Sequence, residues 1–239
     1  MDNFDLKKDF NRYKATYIIT SITILVWLGQ FLTFGQQATS GMNLLRSGAL
    51  WGPSILMDPT QLWRLISPIF LHIGWTHLLL NMFTLFFIGR QVEDVFGWRS
   101  FTLIYFISGI FGNAMSFLFS PQSLSAGASG AIFGLFGAVV GLGYFTEMPI
   151  LKQIGKTFAV LIVINLLMNV VNIGSIGSIG TGQVNIWAHL GGAIGGLLLS
   201  AIFPPKSLKR AIPKHYKFIT SLIFVGLLVG FILLPFMTY

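Results

Sequence analysis

The sequence has no cysteine. Disulfides, thiolate metal sites and a cysteine nucleophile are thereby excluded, and the redox compartment is left open. Charge is scarce as well: 9% of the 239 residues are charged, against about a quarter in ordinary soluble domains. Acidic residues number 7 and basic residues 15. What fills the space is apolar, 54% of the chain, with a mean hydropathy of +0.77. A disordered chain, a soluble nucleic-acid binder and a secreted disulfide scaffold are all ruled out by this balance. In so greasy a chain the basic excess reads as membrane topology, with no nucleic-acid partner. The sequence describes an integral membrane protein.

The gaps between charges count its crossings. Charge-free runs cover 15–45, 65–89, 100–146, 157–205 and 218–239. A spanning helix takes about 20 apolar residues, so these runs hold one, one, two, two and one spans. Turn-rich polar stretches at 120–128 and 172–185 divide the two longest. The expectation is an all-α polytopic bundle with seven transmembrane helices near 16–35, 74–94, 99–119, 129–147, 154–172, 185–203 and 218–237. The first run is long, lacks a small-residue cleavage site and follows a mixed-charge start, so it reads as a retained helix. The expected organisation is a cytoplasmic segment 1–15, a six-helix core 16–204, a basic linker 205–217 and an additional helix 218–239.

Basic residues collect on the cytoplasmic side. With the N-terminus cytoplasmic, all Lys and Arg except Arg46 and Arg64 lie inside, 13 of 15. An odd number of spans then leaves the C-terminus outside. The Gly/Ser-rich stretch 173–182 reads as a mobile outer loop, and the Trp-bearing loop 36–71 as an interfacial anchor.

Ionisable residues inside a membrane are costly enough to be functional hypotheses. His72, His77 and His189 qualify, whereas His215 sits in the basic linker. The second, fourth and sixth helices run inward in parallel, carrying His77 and Asn81, Ser129, and His189 near their outer ends. His77 and Asn81 share one helical face, with Asn81 about 6 Å deeper. Gly130, Gly134, Gly137 and Gly141 face a matching set, Gly191, Gly192, Gly195 and Gly196, and such small-residue faces let helices pack closely in lipid. Close packing there would bring the Ser129 hydroxyl to the His189 imidazole, as an activated serine requires. Taken singly, each residue has a plainer role: helix cap, packing glycine or buried polar glue.

Together these residues form a known pattern. Gly127-Ala128-Ser129-Gly130 resembles the GxSG motif of rhomboid intramembrane serine proteases. Ala188-His189 with Gly192 and Gly196 is similar to that family's AHxxGxxxG motif, and His72, His77 and Asn81 to its HxxxxHxxxN signature. Trp63-Arg64 and Gly89, Glu93 and Gly97 match two further family patterns. The resemblance covers about 60–205 and implies a rhomboid-like core. It implies Ser129 as nucleophile and His189 as general base, with His77, Asn81 and the Ser129 N–H holding the oxyanion. His72, at the lip of the second helix, would shape the site and its water access. Phe133, where many relatives carry Tyr, would stack on His189. Glu93, at the far end, reads as structural, paired with Arg90 or Arg99. The resemblance further implies a mobile cap over the site at 173–182 and a lateral gate involving 154–172. Substrates would be single-pass membrane proteins cut in or beside their spans, with no metal or other cofactor. The location would be the plasma membrane, with the site near the outer face; an oligomeric state is not legible.

Three other readings compete. A catalytically silent client-binding relative would usually lack the Ser or the His, and both are present. A channel would carry polar residues across the whole bilayer, but here they stop in the outer half. A metalloprotease would need an HExxH and a carboxylate near the three histidines, and the sequence offers neither.

Overall fold

In lipid every backbone N–H and C=O must find its partner within the protein, so an uncharged apolar run folds as a helix. The structure, a computed structural model, describes residues 5–175 and 185–239. A short amphipathic helix α1 (Leu6–Arg12) leads into α2 (Lys14–Phe34). Where a loop is expected between 36 and 71, the chain forms α3 (Gly41–Ser47), α4 (Gly52–Met57) and 3-10 turns over Pro59–Leu65 and Ser67–Phe70. Helix α5 (Trp75–Thr84) passes through a π-turn (Leu85–Gly89) into α6 (Arg90–Phe119). Then come α7 (Ser129–Phe145), α8 (Pro149–Ser175), α9 (Ile186–Ile202), α10 (Lys214–Leu233) and a terminal turn α11 (Pro235–Thr238).

Among the described residues, four stretches are long and apolar enough to cross a membrane. One of them, Trp75–Phe119, is 45 residues long and leaves helical geometry at Gly97 (φ 73°, ψ 154°). The chain doubles back there: the Cβ position of Gly89 lies 3.6 Å from the Phe101 ring, a separation no straight helix permits. Adding the shorter apolar helices α7 and α9 gives a bundle in keeping with the seven expected spans. Helix α8 begins at Pro149, earlier than expected, and runs on to Ser175, into the stretch read as loop. The rest of that stretch, 176–184, lies outside the described residues.

The glycines decide which helix is central. All of α7 is buried except Ser129, Val140 and Tyr144. A Cβ on Gly196 would stand 2.8 Å from the Gly134 Cα, and one on Gly192 2.8 Å from the Gly130 carbonyl carbon. On the other side of α9, a Cβ on Gly191 would stand 2.9 Å from the Gly112 Cα of α6. Helix α9 is thus clasped between α6 and α7 at backbone contact. The outer helices α2, α8 and α10 expose large apolar side chains, among them Leu25, Leu32, Val160, Leu167 and Leu222. Such apolar surface belongs in lipid. The protein is a multi-pass helical membrane protein.

Glu93 is structural, but its partners differ from those expected. Asp9 takes Arg90, and Asp94 takes Arg12 at 2.8 and 2.9 Å. Glu93, 2% exposed, instead accepts the N–H groups of Ala15 (3.0 Å) and Thr16 (2.8 Å) and the Thr16 hydroxyl (2.7 Å). The first N–H groups of α2 have no intrahelical partner, and Tyr13 at its N-cap gives no side-chain cap. A carboxylate 78 residues away closes that helix end. Glu93→Ala should cost about 2 kcal/mol or more, because it strands three buried donors. The variant should melt several degrees lower in detergent. Glu93→Gln, which keeps one acceptor, should lose less.

Candidate active site

Helix α7 has Ala128, not Ser129, at its N-cap, and no side chain caps it. Ser129 is the first helical residue, so its hydroxyl is free for another partner. That partner is His189: Ser129 Oγ and His189 Nε2 are 2.7 Å apart. The imidazole is held flat by Phe133, one turn along α7, with ring centroids 4.3 Å apart and planes at 11°. Ser129 is half-buried and His189 buried.

The start of α9 is fixed from outside. Asn185 accepts the N–H groups of Trp187 (3.1 Å) and Ala188 (3.3 Å) through its side-chain oxygen. Its amide donates to Ser116 Oγ of α6 at 2.6 Å. This cap sets the depth at which His189 enters, one turn later. The segment before Ser129 is pinned as firmly. Leu50 and Ser125 exchange N–H···O bonds of 2.9 Å, and the Gly127 N–H donates to Pro68 O at 2.9 Å. The 45–70 region in turn rests on Arg64, whose guanidinium donates to Leu45 O (2.8 Å), Ala49 O (3.0 Å) and Gln61 Oε1 (2.7 Å). Trp63 covers that guanidinium at 4.6 Å. The Trp63-Arg64 pair therefore acts on the loop that shapes the site.

Gly127 has φ +148°, a conformation that disfavours other residues. A Cβ there would also stand 2.6 Å from Cε1 and 3.1 Å from Nε2 of His77. His77 thus reaches the Ser129 segment with its Cε1–Nε2 edge. Gly130 faces Ala188 O, 3.2 Å from its Cβ position. His77, Gly127, Ser129, Gly130 and His189 share a cavity of about 20 Å³ with Asn113 and Asn185. That is room for about one water molecule.

Asn81 is buried one turn deeper than His77 and is not among the residues lining this cavity. Its amide donates to His77 O at 3.0 Å, which leaves a second N–H. His72 is fully buried, not at a lip, with its ring 5.2 Å from that of His77. It backs His77. Asp58 is committed elsewhere: side-chain hydrogen bonds from Thr60 and Gln61 hold its carboxyl below the usual range. Asn113, which donates to Leu65 O at 2.9 Å, and Asn185 were not singled out from sequence. For Asn185 the signal was present, an Asn immediately before a helical run.

The Rhomboid domain family matches residues 59–206 of this chain. Rhomboid protease GluP of Bacillus subtilis (strain 168) is 35% identical over 217 residues, covering 91% of this chain and 39% of GluP. The rhomboid protein YdcA of the same bacterium is 31% identical over 204 residues, covering 83% of this chain and 92% of YdcA. RHOMBOID-like protein 4 of Arabidopsis thaliana is 42% identical over 140 residues, 59% of this chain and 34% of that protein. The chain thus spans less than half the length of GluP and of the plant relative, and nearly all of YdcA.

Proposed function

Because this chain belongs to the rhomboid family, we propose that it is an intramembrane serine endopeptidase with Ser129 as nucleophile and His189 as general base. The observation that carries this reading is the 2.7 Å contact between Ser129 Oγ and His189 Nε2, made by a serine that caps nothing. His189 takes the hydroxyl proton as Oγ attacks the scissile carbonyl. It then returns that proton to the leaving amine. A water activated by the same imidazole next hydrolyses the acyl-enzyme. Phe133 supplies orientation where a triad would use a carboxylate.

The negative charge that develops on the carbonyl oxygen falls to the His77 side chain, the second N–H of Asn81 and the Ser129 N–H. The unpartnered N–H groups that open α7 favour the same charge. Such donors act on charge that exists only in the transition state, and removing one costs about 10²–10³ in rate. His77→Ala and Asn81→Ala should each lower kcat by that factor with KM little changed, in a proteoliposome cleavage assay. Equal losses in KM alone would move both residues from transition-state stabilisation to substrate binding.

The substrates in this reading are single-pass membrane proteins, cut in or beside the transmembrane segment. The N-terminus is cytoplasmic, the C-terminus extracytoplasmic and the site near the outer face of the plasma membrane. The basic residues support this orientation, since Lys152, Lys156 and the 206–217 cluster flank the helix ends away from Ser129. Labelling by a fluorophosphonate tests the nucleophile directly. One adduct is expected, mapped by mass spectrometry to Ser129, absent in Ser129→Ala and strongly slowed in His189→Ala. A folded wild type that takes no label would favour a silent client-binding protein instead.

A further inference from the structure

Away from the active site, the end of α9, the start of α10 and the chain between them line a second cavity, open on one side, of about 510 Å³. Lys209, Lys214 and Lys217 supply its charge, and Ala201, Ile212 and Phe218 its apolar wall; no lining residue is acidic. Lys214, Lys217 and Phe218 sit on one face of α10 by helical spacing. From His189 to Ala201, α9 rises about 18 Å, so this cavity lies at the opposite end of the bundle from Ser129.

Among the described residues the three lysines have no counter-ion. The ion pairs among the described residues join Asp5 to Lys8, Asp94 to Arg12 and Asp9 to Arg90. Glu93 is spent on the start of α2. The space is in the range of small-molecule sites and well beyond what a bare phosphate fills. Its apolar side continues along α10 through Phe218 and Leu222, 65% and 59% exposed. Cationic groups beside an apolar track, where a helix meets the membrane surface, suit a ligand with a phosphate head and hydrocarbon tails.

We propose that this cavity binds the headgroup of an anionic phospholipid, its phosphodiester held by Lys209, Lys214 and Lys217 and its acyl chains lying along Phe218 and Leu222. The site is independent of whether the protein cuts peptide bonds. It would tie α10 to the end of α9 and make the added helix a lipid-dependent part of the bundle.

Native mass spectrometry of the full chain in detergent tests this, with dioleoyl phosphatidylglycerol and dioleoyl phosphatidylcholine offered in equal amounts. Wild type should retain the phosphatidylglycerol at least about tenfold better. Each lysine near the surface contributes about fivefold, so Lys209→Gln, Lys214→Gln and Lys217→Gln together should weaken retention on the order of 100-fold. Replacing the three with Arg should preserve retention, as should Lys7→Gln, Lys8→Gln and Lys152→Gln, which change net charge equally elsewhere. Equal retention of both lipids by wild type, or undiminished phosphatidylglycerol on the triple Gln variant, would overturn the proposal. So would an equal loss in the remote control. Inorganic phosphate that raised the melting temperature as much as the lipid would make the ligand a free anion and reject the lipid. If the triple variant does not fold, the single substitutions decide: about fivefold losses support the site, and three unchanged variants refute it.

Discussion

Ser129→Ala should abolish cleavage of a labelled single-pass substrate in proteoliposomes, a loss of about 10⁴–10⁶ in kcat. The fold should survive it. The Ser129 hydroxyl makes no capping bond to α7, so its removal strands no backbone donor and leaves only the 2.7 Å contact to His189 unmade. His189→Ala should lose nearly as much, and the double variant no more than the worse single one, because nucleophile and base act as a unit. Product masses would locate the cut in the substrate. A cut that persists at the same place in Ser129→Ala would refute the serine mechanism. Losses that simply multiplied in the double variant would mean that the two residues act separately.

The features that sequence conveys well are those fixed by solvent. Charge-free runs had to become helices because lipid offers the backbone no partner, so the spans stood out without any sense of which helix touches which. The glycine spacing of α7 and α9 was legible for the same kind of reason: a missing Cβ every fourth residue has few uses other than close approach. Ser129, His189 and His77 could be singled out because polar groups are so rare in those segments. Sequence does not show which atoms they face. Phe133 reads equally well as core, and only coordinates give its 11° stack on His189.

What stayed hidden is what depends on long-range geometry. Glu93 has arginines three residues before and six after it, and the helical neighbour is the natural guess. Its partners are N–H groups at residues 15 and 16, offered because α2 ends there without a cap of its own. The 36–71 stretch read as loop because no part of it is long enough to span. Its first short helix is closed by Ser40 at its start and a left-handed Gly48 at its end, and Arg64, from further along the stretch, gathers the carbonyls of Leu45 and Ala49. His72 read as a rim residue from its place before a helix, yet the chain folds over it. Sequence gives the position of a residue along a helix more readily than the depth to which the surrounding loops bury it.

The second large effect is expected at the clasp between α7 and α9. Gly192→Leu and Gly196→Leu should each leave little folded protein. A Cβ at either position runs into main-chain atoms of Gly130 or Gly134, and backbone, unlike a side chain, has no rotamer to move to. Overpacking of a side-chain core costs about 1–3 kcal/mol; a rigid backbone wall should put these variants at or above the top of that range. Because α7 carries Ser129 and Phe133 while α9 carries His189, any survivor should also be slow: parting the helices lengthens the Ser129–His189 contact and unseats the ring stack together. Gly226 is the control, since nothing lies within 4 Å of its Cβ position on α10. Gly226→Ala should be neutral or gain up to about 1 kcal/mol of helix propensity. Comparing melting temperature and folded yield in detergent across the three variants separates the two cases. Leu variants as stable as Gly226→Ala would mean that α7 and α9 are not at backbone contact, and the Ser129–His189 distance would lose its support with them.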